Sequence, residues 1–171
     1  MLLHFILIII LVSIVLAWMS LAPWVPTKNK DLKRINQIAD LQPGQKFFEM
    51  GCGNGRVCSY IAQQNPEVEV VGIELAFLFY LYARLRAHFW GPKNLKIIFG
   101  NALKYDIADV DVIYVFGLTD TVNKQIKQKI VREMKLGAKL VSYCFSMKEW
   151  EGISTTHKDH DKEFPIHVYS V

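Results

Sequence analysis

The stretch Phe47-Phe48-Glu49-Met50-Gly51-Cys52-Gly53-Asn54-Gly55-Arg56 decides the fold. An apolar run of strand composition enters a turn with a glycine at every second position, and the chain leaves it in a helical pattern. Glycine permits positive φ in such a turn and lets a ligand approach the backbone closely. The dinucleotide fingerprint G-x-G-x-x-G needs its third glycine at position 56, which is Arg56, and no Gly-Lys-Ser/Thr follows as a phosphate-binding loop requires. What remains is E-x-G-x-G-x-G. A second carboxylate, Glu74, ends the next strand 23 residues after Gly51 (74 minus 51). A strand-end acid there is placed to receive the hydroxyls of a ribose.

Outward from this loop, strand-like and helical runs alternate. Strands are predicted at Lys46–Met50, Val68–Glu74, Leu95–Phe99, Val110–Phe116 and Lys139–Phe145. Helices are predicted from Gly55 to about Asn65, at Ala76–Trp90 and at Asp120–Met134, with a further strand over Phe164–Val171. An amphipathic helix, Asp31–Leu41, precedes them with Leu32, Ile35, Ile38 and Ala39 on one face, and Pro43-Gly44 stops it. The βαβα rhythm predicts an α/β, Rossmann-like, mostly parallel sheet with helices on both faces and ligands at the carboxyl ends of the strands.

Before this body lies a segment of different character. Residues 1–27 contain no Lys, Arg, Asp or Glu, so all 20 basic and 16 acidic residues fall in the remaining 144. Mean hydropathy is +0.17. From Leu2 to Ala22 only His4, Ser13 and Ser20 interrupt the apolar run, and these positions as a helix reach about 30 Å, the thickness of a bilayer's hydrocarbon core. A cleaved signal peptide would carry a positive start, a shorter apolar stretch and small residues at the cut. The sequence therefore predicts a single retained N-terminal transmembrane anchor and juncture over 1–27. Trp18 and Trp24 stand at interfacial positions, and Lys28, Lys30, Lys33 and Arg34 place the body, 28–171, on the cytoplasmic side.

The net charge of +4 suits an anionic membrane face and is too small to indicate a nucleic acid partner. Cys52, Cys58 and Cys144 are odd in number and form no C-x-x-C pair, so neither a disulfide framework nor a zinc site is expected. His157, Asp159, His160 and Asp161 are contiguous in a polar stretch without ligand spacing and read as a surface hairpin; no metal is expected. The aromatics of Ala76–Trp90 read as the apolar face of a core helix, the other reading being a surface that touches lipid or the N-terminal anchor. Lys124, Lys127, Lys129, Arg132 and Lys135 read as a solvated basic face, the other reading being contact with anionic lipid headgroups.

Loop, spaced acid and strand rhythm together resemble class I S-adenosylmethionine-dependent methyltransferases. The resemblance implies S-adenosyl-L-methionine as cofactor, with Glu49, Gly51, Cys52, Gly53, Asn54 and Gly55 along its methionine part, and Glu74 and Leu75 at its ribose. Asn101 and Ala102, after Gly100, would border its adenine. A narrower resemblance is to the small membrane-anchored protein-lysine methyltransferases of the adenine nucleotide translocase and ATP synthase c-subunit group. It rests on Trp24-Val25-Pro26-Thr27, the loop, Gly72-Ile73-Glu74, and Gly137-Ala138-Lys139-Leu140-Val141-Ser142-Tyr143-Cys144-Phe145 with Trp150. It implies that Pro26 and Thr27 close over the cofactor and that the acceptor is a protein lysine. Two differences stand out: Trp24 replaces a Tyr or Phe, and the loop reads Glu-Met-Gly-Cys-Gly-Asn-Gly where Asp-Leu-Gly-Ser-Gly-Asp-Gly is more usual.

Other readings of the same residues are a methyltransferase of a lipid, quinone or other small membrane-delivered acceptor, and a non-catalytic membrane-tethered nucleotide-binding module. After the fourth strand Phe116-Gly117-Leu118-Thr119-Asp120 stands where base-methylating enzymes carry (Asp/Asn)-Pro-Pro-(Tyr/Phe), which speaks against a nucleic acid acceptor. Thr119, Asp120 and Tyr143 fall near the expected reaction centre, yet capping accounts for the first two and core packing for the third, so no catalytic residue is assigned.

Overall fold

The computed structural model describes His4, Leu11 and residues 26–117, 122–147, 150, 154–158, 160 and 163–170. Helix α1 (Asn29–Ala39) buries Leu32, Ile35 and Ala39 together with Asp31, and ends at Asp40 in the left-handed region, φ 48°. Then come β1 (Lys46–Met50), α2 (Arg56–Gln64), β2 (Glu69–Glu74), α3 (Phe77–Trp90) and β3 (Leu95–Phe99). A 3₁₀ turn (Ala102–Lys104) leads to β4 (Val112–Val115), a π turn (Val122–Ile126), α4 (Lys127–Glu133), β5 (Lys139–Tyr143), β6 (Ser154–His157) and β7 (Ile166–Ser170).

The seven strands form one sheet in the order β3-β2-β1-β4-β5-β7-β6. β1 to β5 are parallel, and β7 runs antiparallel to both β5 and β6. The inner strands are buried on both faces, which is why they read as unbroken apolar runs. Phe47, Val70, Val112, Tyr114 and Val141 point to the core shared with Leu32 and Ile35 of α1 and Val57 and Ile61 of α2. Phe48, Val71, Ile113, Val115 and Leu140 point to a second core with Ala102, Ile126 and Ile130. Chain order reverses between β1 and β4, and at that switch point the carboxyl-end loops diverge and leave room for a ligand.

Three expectations need correction. The helix Ala76–Trp90 is not a core helix: only Ala83 of α3 is buried, and most of its large side chains are exposed. Its small residues face the sheet because the backbone comes close there. A Cβ on Gly55 would stand 3.2 Å from the Ala83 Cβ. Lys129 is not solvated, being 5% exposed and paired with Glu133. The polar stretch before the last strand joins two antiparallel neighbours, as the expected hairpin does, with Asp159 and Asp161 outside the described residues. Ser154–His157 forms β6, the outer edge of the sheet, and the His157 carbonyl accepts from Arg34. Val110–Phe116 shortens to four residues, because the Val110 amide turns back to the Ile107 carbonyl.

Apart from His4 and Leu11, the expected span over residues 2–22 lies outside the described residues, as do Thr119 and Asp120. Among the described residues, no helix is long and apolar enough to cross a membrane.

Candidate active site

The loop after β1 turns by means of three glycines in the left-handed region: Gly51 (φ 75°), Gly53 (φ 54°) and Gly55 (φ 71°). Gly55 is the N-cap of α2, and its amide closes a turn onto the Cys52 carbonyl at 2.8 Å. Asn54 is held locally, its Oδ1 accepting from the Arg56 amide at 3.3 Å. The loop is fixed to the neighbouring strand at two points. The Cys52 amide donates to the Ile73 carbonyl at 2.8 Å, and the Gly53 amide donates to Glu74 Oε2 at 2.7 Å.

Glu74 is therefore the centre of the cleft. Its Oε1 accepts from the Ala76 amide at 2.7 Å, and its carbonyl accepts from the Gly100 amide, which ties in the end of β3. Burial raises its carboxyl above the usual range, while the Ala76 and Gly53 amides pull it back. Leu75, half-buried, separates Glu74 from the start of α3. Asn101 is exposed and spends Oδ1 on the Leu103 amide at 2.9 Å, capping the 3₁₀ turn, while Ala102 packs into the second core.

Glu49 is the penultimate residue of β1. It is buried in β1, and its Oε2 accepts both the Cys58 amide at 2.9 Å and the Cys58 thiol at 2.8 Å. This bond satisfies one of the free amides in the first turn of α2. Burial pushes the Glu49 carboxyl up to about 8. Beside it, Gly72 forms a floor under two thiols: a Cβ there would lie 2.7 Å from Cys58 Sγ and 3.0 Å from Cys52 Sγ.

Thr27 enters the same region from the N-terminal side, buried at 6% exposure, while Pro26 is exposed. Thr27 Oγ1 lies 2.9 Å from Tyr114 Oη, and its carbonyl accepts from Arg56 Nη1 at 3.1 Å. Tyr114 is the register partner of Glu49 on the adjacent strand. Arg56 and Tyr114 are not among the residues expected at the site. A polar hydroxyl within the apolar run Val112–Val115 is the signal that marks Tyr114.

These residues fit S-adenosyl-L-methionine. Cβ atoms built on Gly51 and Gly100 meet nothing within 4 Å, so the loops on either side of Glu74 border open space. A carboxylate offers about four acceptor positions, and the amides that Glu74 accepts leave capacity for a ribose hydroxyl. Among the described residues no group of three His, Cys, Asp or Glu side chains is arranged to hold a metal ion.

The ANTKMT methyltransferase domain family matches residues 49–154, the span from Glu49 to the start of β6. The chain belongs to this family. It is a class I S-adenosylmethionine-dependent methyltransferase. A protein-lysine N-methyltransferase of Saccharolobus islandicus is 30% identical over 129 residues, covering 75% of this chain and 80% of that protein. A probable ribosomal RNA small subunit methyltransferase A of Methanosarcina mazei is 30% identical over 118 residues, but the match covers only 42% of its length. Among solved structures, an RNA methyltransferase of Salinibacter ruber in complex with S-adenosyl-L-homocysteine superposes with a TM-score of 0.77 at 22% identity, covering 86% of this methyltransferase and 94% of that chain. That likeness is one of fold.

Proposed function

We propose that this methyltransferase is a membrane-anchored protein-lysine N-methyltransferase, single-pass, with its catalytic domain on the cytoplasmic side. The observation that carries the acceptor class is the similarity, over 80% of its length, to a relative named as a protein-lysine N-methyltransferase. The uncharged segment of residues 1–27, followed by Lys28, Lys30, Lys33 and Arg34, supports the anchor and its orientation. The proposed division is an anchor and juncture over 1–27 and a methyltransferase domain over 28–171.

When bound, S-adenosyl-L-methionine supplies an electrophilic methyl on a sulfonium. The chain's own part is to bind, orient and exclude water. Glu74, held by the Gly53 and Ala76 amides, is the ribose acceptor in this reading, and the loop from Gly51 to Gly55 carries the methionine part. Thr27, held by Tyr114 and Arg56, covers the neighbouring wall. A lysine amine with a pKa of about 10.4 is neutral only about once in 2,500 at pH 7, so the acceptor must lose its proton on entering the cleft. Tyr143 does not supply the base: its hydroxyl donates to Asp31 Oδ2 at 2.6 Å, and burial with that carboxylate pushes its own ionisation up. Desolvation of the amine on entry would shift it towards the neutral form.

The test is incubation of the purified full chain, and of membranes containing it, with methyl-labelled S-adenosylmethionine. Label in a protein band, on lysine by mass spectrometry, supports the proposal. Label in the organic extract points to a lipid or quinone acceptor, and cofactor binding without transfer points to a binding module; either overturns it.

A further inference from the structure

Helix α3 carries two apolar stripes, and only one meets the sheet. Ala76 just before it, then Tyr80, Ala83 and Ala87, at spacing i, i+4, i+7 and i+11, face inward, with Ala83 in the core and Tyr80 and Ala87 packed against it. Leu78, Leu81, Tyr82, Leu85 and Phe89, at i, i+3, i+4, i+7 and i+11, fall on the opposite side at 100° per residue. Their exposures are 41%, 39%, 57%, 47% and 64%. Trp90, 77% exposed at the helix end, lies off the line of the stripe, and Phe99 on the edge strand β3, 49% exposed, meets Phe77 edge-on at 5.7 Å. A contiguous apolar surface of this kind marks an interaction site.

The charge along this stretch of the chain has one sign. No Asp or Glu occurs at positions 75–105, whereas Arg84, Arg86, Lys93, Lys96 and Lys104 do. Elsewhere the cations are interleaved with acids, as Lys46 is with Asp109 and Glu69, and Lys135 with Asp111. Arg84 and Arg86 stand on the two borders of the outward stripe, 60° beyond Leu81 and 40° beyond Tyr82 by about 100° per residue. An aromatic and leucine stripe between arginines has the composition of a helix lying in a membrane interface.

We propose that the outer face of α3 with the β3 edge docks on an anionic lipid bilayer, the stripe entering the boundary between headgroups and acyl chains. Charge decides against other occupants. A two-fold contact sets the same patch against itself and would oppose the arginines to each other. The chain's own residues 1–27 are uncharged and offer nothing to complement the cations. The surface reaches the rim of the cleft at Phe77 and Phe99, the latter paired in register with Glu74, while Leu81, Tyr82, Leu85 and Phe89 run away from it along α3; it does not depend on the acceptor or on the N-terminal anchor.

The test uses the full chain in phosphatidylcholine vesicles with about 30 mol% phosphatidylserine. A solvatochromic label is placed at Leu85→Cys, or at Val131→Cys on α4 as control, each with Cys144→Ser. Cys52 and Cys58 are buried and Val131 is 65% exposed on the other side of the sheet. Wild-type affinity for S-adenosylmethionine establishes that each labelled chain is folded. The expected result is that nitroxide lipids quench the label at 85 and leave that at 131 unquenched. Arg84→Ala with Arg86→Ala should lower the quenched population about 25-fold, at about fivefold per cation. Equal quenching at both positions overturns the proposal. So does a label at 85 that is shielded from aqueous iodide but untouched by lipid nitroxide, which would mean that protein covers the stripe.

Discussion

Tyr143 at the end of β5 donates to Asp31 in the first turn of α1 at 2.6 Å, joining residues 112 positions apart. Asp31 is fully buried, and its other oxygen accepts from Arg34 at 3.0 Å. The bond pins the helix that follows the N-terminal juncture onto the carboxyl edge of the sheet. Removing the hydroxyl leaves a buried carboxylate oxygen without its donor, so Tyr143→Phe should cost about 1–3 kcal/mol in urea unfolding. Because the hydroxyl is spent on Asp31, the rate at saturating substrates should fall by less than about tenfold, where loss of a general base costs about 100-fold or more.

Glu49 gives the stability of the fold a pH dependence. Its carboxyl is pushed from 4.5 up to about 8 by burial. A folded-state value above the unfolded one means that the contribution is complete below about pH 4.5 and is lost as pH rises towards about 8. In that window wild-type stability should fall relative to Glu49→Gln by up to about 1.4 kcal/mol per pH unit. Urea midpoints of both proteins across the window check this; parallel curves would show that Glu49 does not titrate there.

Glu74→Ala should weaken S-adenosylmethionine binding about 10- to 100-fold, since it removes a carboxylate that also holds the Gly53 and Ala76 amides. Isothermal calorimetry reads the affinity directly. An unchanged dissociation constant would remove Glu74 from the ribose site.

Gly72→Ala tests the close approach of strand and thiols. The added methyl would stand 2.7 Å from Cys58 Sγ and 2.9 Å from Cys52 Cβ, and two buried groups cannot both yield without strain. The expected cost is about 1–3 kcal/mol, read as a lowered denaturation midpoint. Cys58→Ala in the same chain should recover part of it, because it removes the nearest atom.

Strands β1 and β3 end where the sequence places them, and the glycine loop and Glu74 come together as their spacing implies. Strand periodicity and turn chemistry are local signals, and these elements obey them. β6 was not legible because Ser154-Thr155-Thr156-His157 is a mostly exposed edge with no apolar alternation to report it. The exposure of α3 was hidden for the opposite reason. An apolar helix reads as buried from its residues alone, and only the small side chains facing the sheet show which stripe was chosen. Cys58 as partner of Glu49 depends on how the first turn of α2 folds back over β1, a tertiary relationship that no spacing rule carries.

The grip on Thr27 has a consequence for reach. Arg56 holds its carbonyl and Tyr114 its hydroxyl, both at the wall of the cleft. With the proposed span over residues 2–22, four residues, Pro23 to Pro26, separate it from Thr27, and the five steps from Ala22 to Thr27 reach at most about 18 Å when extended. On that proposal the cleft has only a short tether on which to rise. Acceptors would then be sorted by altitude as much as by sequence: a side chain standing well above the surface is out of range, and one close to it is presented without a search.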